Sequence, residues 1–385
     1  MKNLETLIQE LCPDGVEFVK LGDVLDYEQP TKYIVKCKDY QNEGMPVLTA
    51  GQTFILGYTD ETNGIYEASR ENPVIIFDDF TTSFHWVDFS FKVKSSAMKM
   101  LRVSSEREVS FRFVYYAMKC IKYQTLEHSR QWISKYSQIE IPLPPIEVQT
   151  EIARILDKFT SLEAELEAEL DCRKRQYEYY RDKLLSFDNV GGQEVEWKKM
   201  SEVSFYPKTR IDASELSYNS YIGVENLLKD KLGRTDSTVK PEGSVIQFVE
   251  KDILIGNIRP YLRKIWKSDC KGGTNGDVLC IRVKVPSEVS ADYLFHILSS
   301  EKFFLYDIKN SKGAKMPRGD KSAVMDFEIP IPSLEEQHRI VNILDRFESL
   351  TTSLQSGLPA EITARRQQYE HYRDKLLTFK RKGAA

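Results

Sequence analysis

One long phrase occurs twice in this sequence, and the duplication limits what the chain can fold into. Residues 141–162 read IPLPPIEVQTEIARILDKFTSL, and residues 329–350 read IPIPSLEEQHRIVNILDRFESL. A second phrase closes each copy, as RQYEYYRDKLLSF at 175–187 and as QQYEHYRDKLLTF at 367–379. The segment between the two phrases is four residues longer in the second copy. A repeat on this scale predicts two structurally equivalent halves.

Each copy of the phrase predicts a long helix that begins after a proline-rich segment. In the first copy, apolar side chains follow steps of three and four from Ile152 to Leu184, which is the spacing of a coiled coil. The four residues LEAE occur twice in tandem at 162–169. About 36 residues at about 1.5 Å each would give a rod on the order of 55 Å long. In the second copy, Gly357 and Pro359 predict a break in the helix.

A β-rich segment precedes each helix. Residues 4–11 form an amphipathic helix pattern, and the strand pattern VEFVKLGDV at 16–24 recurs as VEWKKMSEV at 195–203. Short apolar runs separated by Gly, Asn and Pro then predict strands, with helices expected at 111–123 and 293–298. The glycines at 272–276 and the segment 190–193 are predicted to form turns.

We therefore predict an α+β fold, in which two β-rich mixed α/β domains are separated by two long antiparallel coiled-coil helices in a pseudo-two-fold repeat. The predicted ranges are 1–143 for the first domain, 144–189 for the central helix, 190–331 for the second domain and 332–385 for the C-terminal helix.

Composition excludes several classes of protein. The net charge of −4 does not by itself announce a nucleic-acid-binding protein, so any basic face must be local. Six cysteines without a CxxC pair, and five histidines without ligand spacing, argue against a metal site and fit reduced thiols. No apolar run is long enough for a membrane-spanning helix, and we expect a cytoplasmic protein.

Catalytic signatures are missing from the sequence. It contains no phosphate-binding GxxxxGK[ST] loop, GxSxG elbow, HExxH pair or dinucleotide fingerprint. Asp78 and Asp79 could serve as paired carboxylates, but adjacent residues on a strand point to opposite faces. None of the common catalytic signatures is therefore present in this sequence.

Two kinds of local composition suggest contacts with nucleic acid. Residues 78–86 and 91–96 offer hydroxyls, an imidazole and aromatic rings, and residues 252–265 interleave cations with an aromatic ring and an amide. An exposed hairpin and a solvated strand edge are the alternative interpretations. The candidate DNA-binding residues are Thr81, Thr82, Ser83, His85, Lys92, Lys94, Ser95, Arg130, Asn257, Arg259, Tyr261, Arg263, Lys264, Lys271, Asn275, Lys315 and Arg318.

The whole layout resembles the specificity subunit of type I restriction-modification enzymes. The resemblance rests on the opening PDGVEF at 13–18, on the two proline-rich helix starts at 141 and 329, and on the closing phrases at 175–187 and 367–379. The tandem LEAE looks like the four-residue repeat found in one branch of that family.

This resemblance implies a DNA reader that is not an enzyme. Each variable domain would be a target recognition domain that reads one half of a split target, and the helices would set the spacing and dock two methyltransferase subunits. S-adenosylmethionine, ATP and Mg²⁺ would then be bound by the methyltransferase subunits and a motor-nuclease subunit, and this chain would bind no cofactor. A coiled-coil scaffold that never touches DNA, and a stand-alone DNA-modifying enzyme, are the rival interpretations.

Aromatic residues of the closing phrases are candidates for contacts with those partners. If the rods pack antiparallel, faces carrying tyrosines are left for partner helices, although tyrosines that merely fill the seam between the rods are an equal alternative. The candidate partner-binding residues are Tyr177, Tyr179, Tyr180, Tyr369, His371 and Tyr372.

Overall fold

The protein forms two compact units in the computed structural model, which describes residues 4–51, 53–124, 129–187, 195–239, 241–352 and 357–383. The first unit consists of residues 1–164 and 364–385, and the second consists of residues 165–363. The predicted turn at 190–193 lies outside the described residues.

The first unit begins with a helix and alternates short strands with loops. Its elements are α1 (Leu4–Leu11), β1 (Glu17–Lys20), β2 (Leu25–Glu28), β3 (Met45–Leu48), β4 (Ile55–Thr59), β5 (Val74–Asp78), β6 (Phe84–Val87), β7 (Lys92–Val93), β8 (Met98–Val103), α2 (Phe111–Lys119), β9 (Glu140–Leu143) and the 41-residue α3 (Ile146–Ser186), which continues into the second unit. The helix expected at 111–123 is therefore present but ends at Lys119.

The second unit repeats this order with additional short elements. They are β10 (Glu196–Lys199), α4 (Met200–Val203), β11 (Ser204–Phe205), β12 (Arg210–Asp212), β13 (Tyr221–Ile222), β14 (Ser244–Phe248), β15 (Ile253–Gly256), β16 (Ile265–Lys267), β17 (Gly272–Thr274), β18 (Val278–Val283), α5 (Ala291–Leu298), α6 (Glu301–Asn310), α7 (Lys321–Asp326), β19 (Glu328–Ile331), α8 (Leu334–Thr352) and α9 (Gly357–Leu376), which returns to the first unit. The predicted glycine turn at 272–276 is wrong in its first half, because residues 272–274 pair with strands on both sides.

The sheets of the two units match in their central parts. In the first unit a four-stranded sheet has the order β2-β8-β5-β6, and in the second unit the equivalent order is β11-β18-β15-β16. The other sheet differs between the units, with the order β4-β3-β7 in the first unit and β12-β14-β17-β13 in the second. The common sheet is thus the repeated scaffold, and the other sheet is the part that differs.

The central strands are buried on both faces, which explains their continuous apolar runs. In β5, Ile75 and Phe77 point into one core cluster, whereas Val74 and Ile76 point into another. Successive strand residues face opposite sides of a sheet, so one strand can serve two cores. The equivalent strand β15 does the same, since Ile253 and Ile255 join a different cluster from Leu254.

A buried glutamine explains why the phrase IPxPxxExQ occurs in both halves. Gln149 donates from Nε2 to the Pro144 carbonyl oxygen at 2.7 Å and accepts at Oε1 from the Ser110 backbone N–H at 3.0 Å. Ser110 is itself the N-cap of α2. The side chain thereby holds the start of the long helix against the start of the domain helix.

The second half contains the same arrangement. Gln337 donates to the Pro332 carbonyl oxygen at 2.9 Å and accepts from the Ser290 backbone N–H at 2.9 Å. The preceding strand pairs also match residue for residue, because Glu17 lies opposite Leu143 in one and Glu196 lies opposite Ile331 in the other. Both joints between a domain and its helix are therefore built in the same way.

About two turns further along the helix, the two joints use different chemistry. In the first unit, Asp157 accepts hydrogen bonds from Tyr116 Oη at 2.5 Å and from Arg112 Nε at 2.5 Å. In the second unit, Asp345 is 2.8 Å from Nε2 of the fully buried His296. The aspartate of the repeated phrase thus anchors each helix to its own domain.

The long helices pack antiparallel within each unit, as the sequence predicted. In the first unit, Phe159 stacks on Tyr372 with ring centroids 5.5 Å apart, and Glu163 pairs with Arg366 at 2.7 Å. In the second unit, Tyr180 stacks on Phe347 at 5.9 Å. The predicted fold class is confirmed.

The predicted break in the C-terminal helix is also confirmed. Helix α8 ends at Thr352 and α9 begins at Gly357, and residues 353–356 lie outside the described part of the chain. Gly357 has a φ of +73°, in the left-handed region that residues with a Cβ rarely adopt. By contrast, α3 is continuous from Ile146 to Ser186, about 60 Å of helix.

The segment after α9 pairs with the segment after α1. The Val16 backbone N–H donates to the Lys380 carbonyl oxygen at 2.9 Å, and the Lys382 N–H donates to the Val16 carbonyl oxygen at 2.9 Å. Gly15 has a φ of +92°, and a Cβ at this position would collide with the Lys380 carbonyl oxygen. Gly15 of the opening PDG motif therefore makes room for the C-terminal segment around Lys380.

All six cysteines are unpaired in the structure. None of the helices in the described ranges combines the length and apolar character that crossing a bilayer requires.

Candidate nucleic-acid interface

Three loops of the second unit meet at the end of strand β15. They are residues 257–264, the turn at 275–277 and the hairpin at 312–319, and we call them together the second loop junction. The Asn257 N–H donates to the Asp277 carbonyl oxygen at 2.9 Å, and the Gly319 N–H donates to the Asn257 carbonyl oxygen at 3.0 Å. Candidate residues that are far apart in sequence are thereby brought together.

Several exposed side chains of this junction are cationic or aromatic. Arg318 is 58% exposed and pairs with Asp277 at 3.0 Å, and Tyr261 is 50% exposed. Arg259 is exposed, and its backbone N–H donates to the Pro317 carbonyl oxygen at 2.7 Å. With the exposed Lys315, these residues form a local basic surface on a chain whose net charge is negative.

Unusual backbone conformation shapes the first loop of the junction. Arg259 and Arg263 have φ values of +54° and +50°, on either side of a short 3₁₀ turn that begins with Pro260. Non-glycine residues adopt this region rarely, and such residues cluster at functional sites. The loop is therefore held in one shape at a cost that the surrounding contacts offset.

Asn257, Arg263 and Lys264 make contacts within the second unit. Asn257 is buried, and Lys264 Nζ donates to the Val224 carbonyl oxygen at 2.7 Å. Arg263 forms an ion pair with Glu301. Lys271 is exposed just before β17, and Asn275 is half-buried in the second loop.

The first unit contains the same junction with different side chains. It consists of residues 79–83 after β5, residues 95–97 before β8 and residues 129–132, and we call it the first loop junction. The Asp79 N–H donates to the Ala97 carbonyl oxygen at 2.8 Å, and the Gln131 N–H donates to the Asp79 carbonyl oxygen at 2.8 Å. These two bonds match the two bonds of Asn257 in the second unit.

A buried ion pair supports the first junction. The Asp79 carboxylate accepts from the backbone N–H groups of Gln131 at 3.1 Å and Trp132 at 2.8 Å, and Lys99 Nζ lies 3.5 Å from its other oxygen. Both ionic side chains are almost fully buried. Sequence reasoning missed this role of Asp79, because its partners lie at least 20 positions away and no local pattern connects them.

The candidates of the first unit divide between the junction and the protein interior. Thr81 and Arg130 are exposed at the junction, with Thr82, Ser83 and Ser95 half-buried beside them and Lys94 exposed just before the second loop. His85 Nε2 lies 3.0 Å from the Gly51 carbonyl oxygen, and burial lowers its pKa. Lys92 is 2% exposed, and its Nζ donates to the Asn63 and Gly64 carbonyl oxygens. That arrangement favours a structural role for Lys92.

The aromatic candidates of the closing phrases occupy equivalent positions in pairs. Tyr177 and Tyr369 are half-buried against the core, and burial raises the pKa of both. Tyr180 and Tyr372 stack on the opposing helix, yet remain 43% and 38% exposed.

The third pair lies on the outer face of the helices. Tyr179 is 61% exposed and His371 is exposed. The aromatic residues therefore divide between the two arrangements considered from the sequence: some fill the seam between the helices, and others face outward.

The second joint contains a cluster that could be taken for a metal site. Ligand atoms of His296, Asp345 and Glu348 lie within 4.8 Å of one another. We assign the cluster to the joint, because Tyr116 and Asp157 make the equivalent contact in the first unit with a phenol that needs no metal. The hydrogen bond to His296 lowers the pKa of Asp345, and burial raises the pKa of Glu348.

Comparison with known proteins identifies the family. A family model described as the type I restriction modification DNA specificity domain matches residues 13–171 and again residues 196–364. The chain is also 40% identical to the type I restriction enzyme EcoR124I/EcoR124II specificity subunit of Escherichia coli, over 98% of this chain and 97% of that protein. The chain belongs to the type I restriction-modification specificity subunits.

More distant relatives share the length and the fold. A putative type I restriction enzyme specificity subunit of Haemophilus influenzae is 28% identical over 98% of this chain and all of that protein. The crystal structure of an S subunit from M. genitalium covers 94% of this chain and 96% of its own, with a TM-score of 0.56 at 14% identity. Membership of this family of recognition subunits confirms the predictions of a DNA-specificity role and of a chain that is not itself an enzyme.

Proposed function

We propose that the chain reads a bipartite, asymmetric DNA target, with one half-site bound at each loop junction. The observation that carries the proposal is that two junctions with the same backbone hydrogen bonds present different side chains. The second junction exposes Arg259, Tyr261 and Arg318, whereas the first exposes Thr81 and Arg130. Two junctions with the same backbone arrangement but different exposed side chains suit two half-sites of different sequence.

The chemistry of these residues fits contacts in a DNA groove. Arginine can donate two hydrogen bonds to guanine, and hydroxyl groups can bond to either type of base pair. Lysine, hydroxyl and backbone N–H groups bind phosphates and fix the orientation of a protein on the duplex. The proposed contacts are the exposed members of both junctions together with Lys94, Lys271 and Asn275, and they leave out the buried Lys92.

We also propose that the helices space the half-sites and dock two methyltransferase subunits. The outward-facing Tyr179 and His371 lie at equivalent places in the repeated phrases, as expected for two equivalent partner contacts. S-adenosylmethionine, ATP and Mg²⁺ would act on the methyltransferase and motor-nuclease subunits of the complex, and the assembly would work in the cytoplasm, where its DNA lies.

Mapping of modified adenines in cells that express the chain with its partner subunits tests this proposal. We expect two different half-sites separated by a fixed spacer. Substituting Arg259 should relax recognition in one half-site and leave the other half-site and the spacer unchanged. A single continuous target, or a symmetric pair of half-sites, would contradict the proposal.

The rival interpretations have their own tests. Binding of DNA by the assembled complex should fall steeply with salt, because phosphate contacts release counterions, and a complex that shows no such binding would favour the scaffold interpretation. Methyl transfer or DNA cleavage by the purified chain alone, supplied with S-adenosylmethionine, ATP and Mg²⁺, would favour the stand-alone enzyme.

A further inference from the structure

A small cavity of about 180 Å³ opens beside the strand pair β10–β19 of the second unit. Part of its wall is apolar and includes Leu185 of α3, Phe327 and Pro330. Trp197 of β10 also lines the cavity and is 41% exposed, and the exposed Glu328 of β19 lies at the same place. The volume is that of about six water molecules in the liquid, so the cavity has room for one long side chain.

The first unit shows what an equivalent pair of residues binds. Phe18 and Glu140 occupy the places of Trp197 and Glu328 in the matching strand pair β1–β9. There the guanidinium group of Arg381 lies 4.6 Å from the centre of the Phe18 ring and forms an ion pair with Glu140. An aromatic face and a carboxylate are the two contacts that suit an arginine side chain. The chain thus fills this place in the first unit with an arginine of its own.

The second unit has no arginine at the corresponding position of its sequence. Continuing the alignment of the closing phrases by two residues places Asn189 opposite Arg381. Residues 188–194 contain two acids and no Lys or Arg, and they lie outside the described part of the chain. That segment therefore supplies no cation for the carboxylate of Glu328.

One cation of the second unit does lie at the cavity. Lys302 Nζ is 5.0 Å from the centre of the Trp197 ring. Within the described ranges, however, neither Lys302 nor Glu328 forms an ion pair. Lys302 is exposed, and its flexible side chain can turn into the solvent without burying its charge. It therefore competes for the aromatic ring but leaves the carboxylate open to another cation.

A backbone difference decides how a ligand can enter the second cavity. In the first unit, Arg381 belongs to a segment whose backbone pairs with Val16, and Gly15 makes room for that segment. The residue at the place of Gly15 in the second unit is Glu194. A residue with a Cβ rarely adopts the conformation that Gly15 uses, so the same backbone approach is disfavoured. The second cavity suits an arginine side chain that reaches in alone.

We propose that this cavity binds an arginine side chain of a partner subunit in the restriction-modification complex. The guanidinium group would lie over the Trp197 ring and pair with Glu328, and the aliphatic stem would pack on the apolar wall. We assign the arginine to a partner and not to a second copy of the chain, because Arg381 of each copy is already bound in its own first unit. The inference rests on the docking of partner subunits proposed above and not on the proposed DNA contacts.

Fluorine nuclear magnetic resonance of the full-length chain, labelled with fluorotryptophan, gives the first test. The signal of Trp197 is assigned with Trp197→Phe and followed during titration with acetyl-arginine amide. We expect a saturable shift of this signal that the uncharged analogue, acetyl-citrulline amide, does not produce. Glu328→Gln should weaken the binding of acetyl-arginine amide about three- to fivefold, as loss of an exposed ion pair predicts.

Neighbouring residues provide matched controls. Glu196→Gln removes the same charge from the residue before Trp197, but adjacent strand residues face opposite sides, so the affinity for acetyl-arginine amide should stay unchanged. Lys302→Ala removes the competing cation and should keep or raise the affinity. Both variants change exposed side chains, and an unchanged tryptophan spectrum in the absence of ligand checks their folding.

The assembled complex then identifies the occupant. If an arginine of a partner fills the cavity, the Trp197 signal should already be shifted in the complex, and acetyl-arginine amide should no longer move it. Glu328→Gln should weaken association of the chain with that partner by about the same three- to fivefold, and Glu196→Gln should not.

The proposal is overturned if the arginine and citrulline derivatives give equal shifts or none, or if Glu196→Gln and Glu328→Gln weaken binding equally. It is also overturned if the complex leaves the cavity open to acetyl-arginine amide, or if the chain alone shows the shift as its concentration rises, which would assign the cavity to a second copy. A chain that binds the derivative but assembles with no partner refutes the proposed docking and this occupant with it. A complex that fills the cavity but reads no DNA would refute the DNA contacts alone and support this inference.

Discussion

Asp307 should destabilise the second unit at neutral pH, and replacing it with asparagine should reverse this effect. The residue lies on α6 and is 1% exposed, and neither carboxylate oxygen has a hydrogen-bond partner within the described ranges. Burial raises the pKa of Asp307 to about 6 from its ordinary value of 3.8. The folded protein therefore holds a proton on this group that the unfolded chain releases between about pH 4 and pH 6.

The sign and the size of the effect follow from this shift. Because the folded state binds more protons in that interval, stability falls as the pH rises from about 4 to 6 and stays low above it. A shift of about two units at about 1.4 kcal/mol each gives about 3 kcal/mol. The buried amide of Asp307→Asn needs partners of its own, which reduces the expected gain at pH 7.5 to about 1–3 kcal/mol.

The side-chain oxygen of Asn257 is a possible partner for that amide. A Cβ atom placed on Gly319 would lie 2.5 Å from Asp307 Oδ1 and 2.8 Å from Asn257 Oδ1, so both oxygens lie against the same backbone atom. The Asn257 oxygen has no donor in the described part of the structure. In Asp307→Asn the new amide could donate to it, which would also make the second loop junction more rigid.

Hydrogen exchange measured by mass spectrometry between pH 4.5 and 8 can test this in the full-length chain. Opening free energies of the amides in α6 and in residues 312–319 should rise in Asp307→Asn at high pH and converge with wild type near pH 4.5. Asp320→Asn is the control, because hydrogen bonds from Lys312 and from the start of α7 lower the pKa of Asp320, so this variant should lose stability at neutral pH. A variant Asp307→Asn with unchanged stability and an unchanged pH profile would refute the reasoning.

Four further predictions concern the scaffold and the interface. Gly357→Ala should lower the free energy of unfolding by about 1–2 kcal/mol, because an alanine resists positive φ; Gly233→Ala, with a φ of +84° and no atom within 4 Å, separates backbone strain from contact. Gln337→Ala should cost about 1–3 kcal/mol in urea unfolding, since three backbone groups, of Glu288, Ser290 and Pro332, lose their partner, and an unchanged midpoint would contradict the role of the joint. Arg259→Ala should weaken DNA binding by about 1–3 kcal/mol at one half-site if it reads a base, or lower the salt slope by about one if it binds a phosphate. An extra LEAE unit after residues 162–169 adds about 6 Å of helix, which should lengthen the spacer by one or two base pairs at about 3.4 Å each, and a methylome with an unchanged spacer would sink this idea.

The repeat made the helical part of the fold predictable from sequence. Each part of the helical pattern is a local signal. The steps of three and four predict α3, the proline-rich segments predict where the helices begin, and Gly357 predicts the break. The sequence showed only that a glutamine occurs at the same position of both repeats. It did not show what Gln149 and Gln337 bind, because their partners Ser110 and Ser290 lie 39 and 47 positions away.

The composition of the candidate interface could be read from the sequence, but its geometry could not. Local composition selected Arg259 and Tyr261, which are exposed, and also Lys92, whose Nζ donates to carbonyl groups inside the protein. Nothing in the neighbourhood of Arg318 indicated that its hairpin lies against residues 257–259. Such contacts form because three loops meet at the end of one strand. Which loops meet there depends on the order of all the strands in the sheet, which local sequence does not give.

The division of the chain into units has a consequence for its synthesis on the ribosome. The second unit is one stretch, residues 165–363, whereas the first unit needs residues 364–385 to complete it. At about 5–20 residues per second, the amino-terminal part of the first unit waits about 10–40 seconds for Tyr372 to cover Phe159 and for Lys380 to reach Val16. Translation would therefore finish the inner unit first, and the half of the protein that is made earliest would be the last to fold.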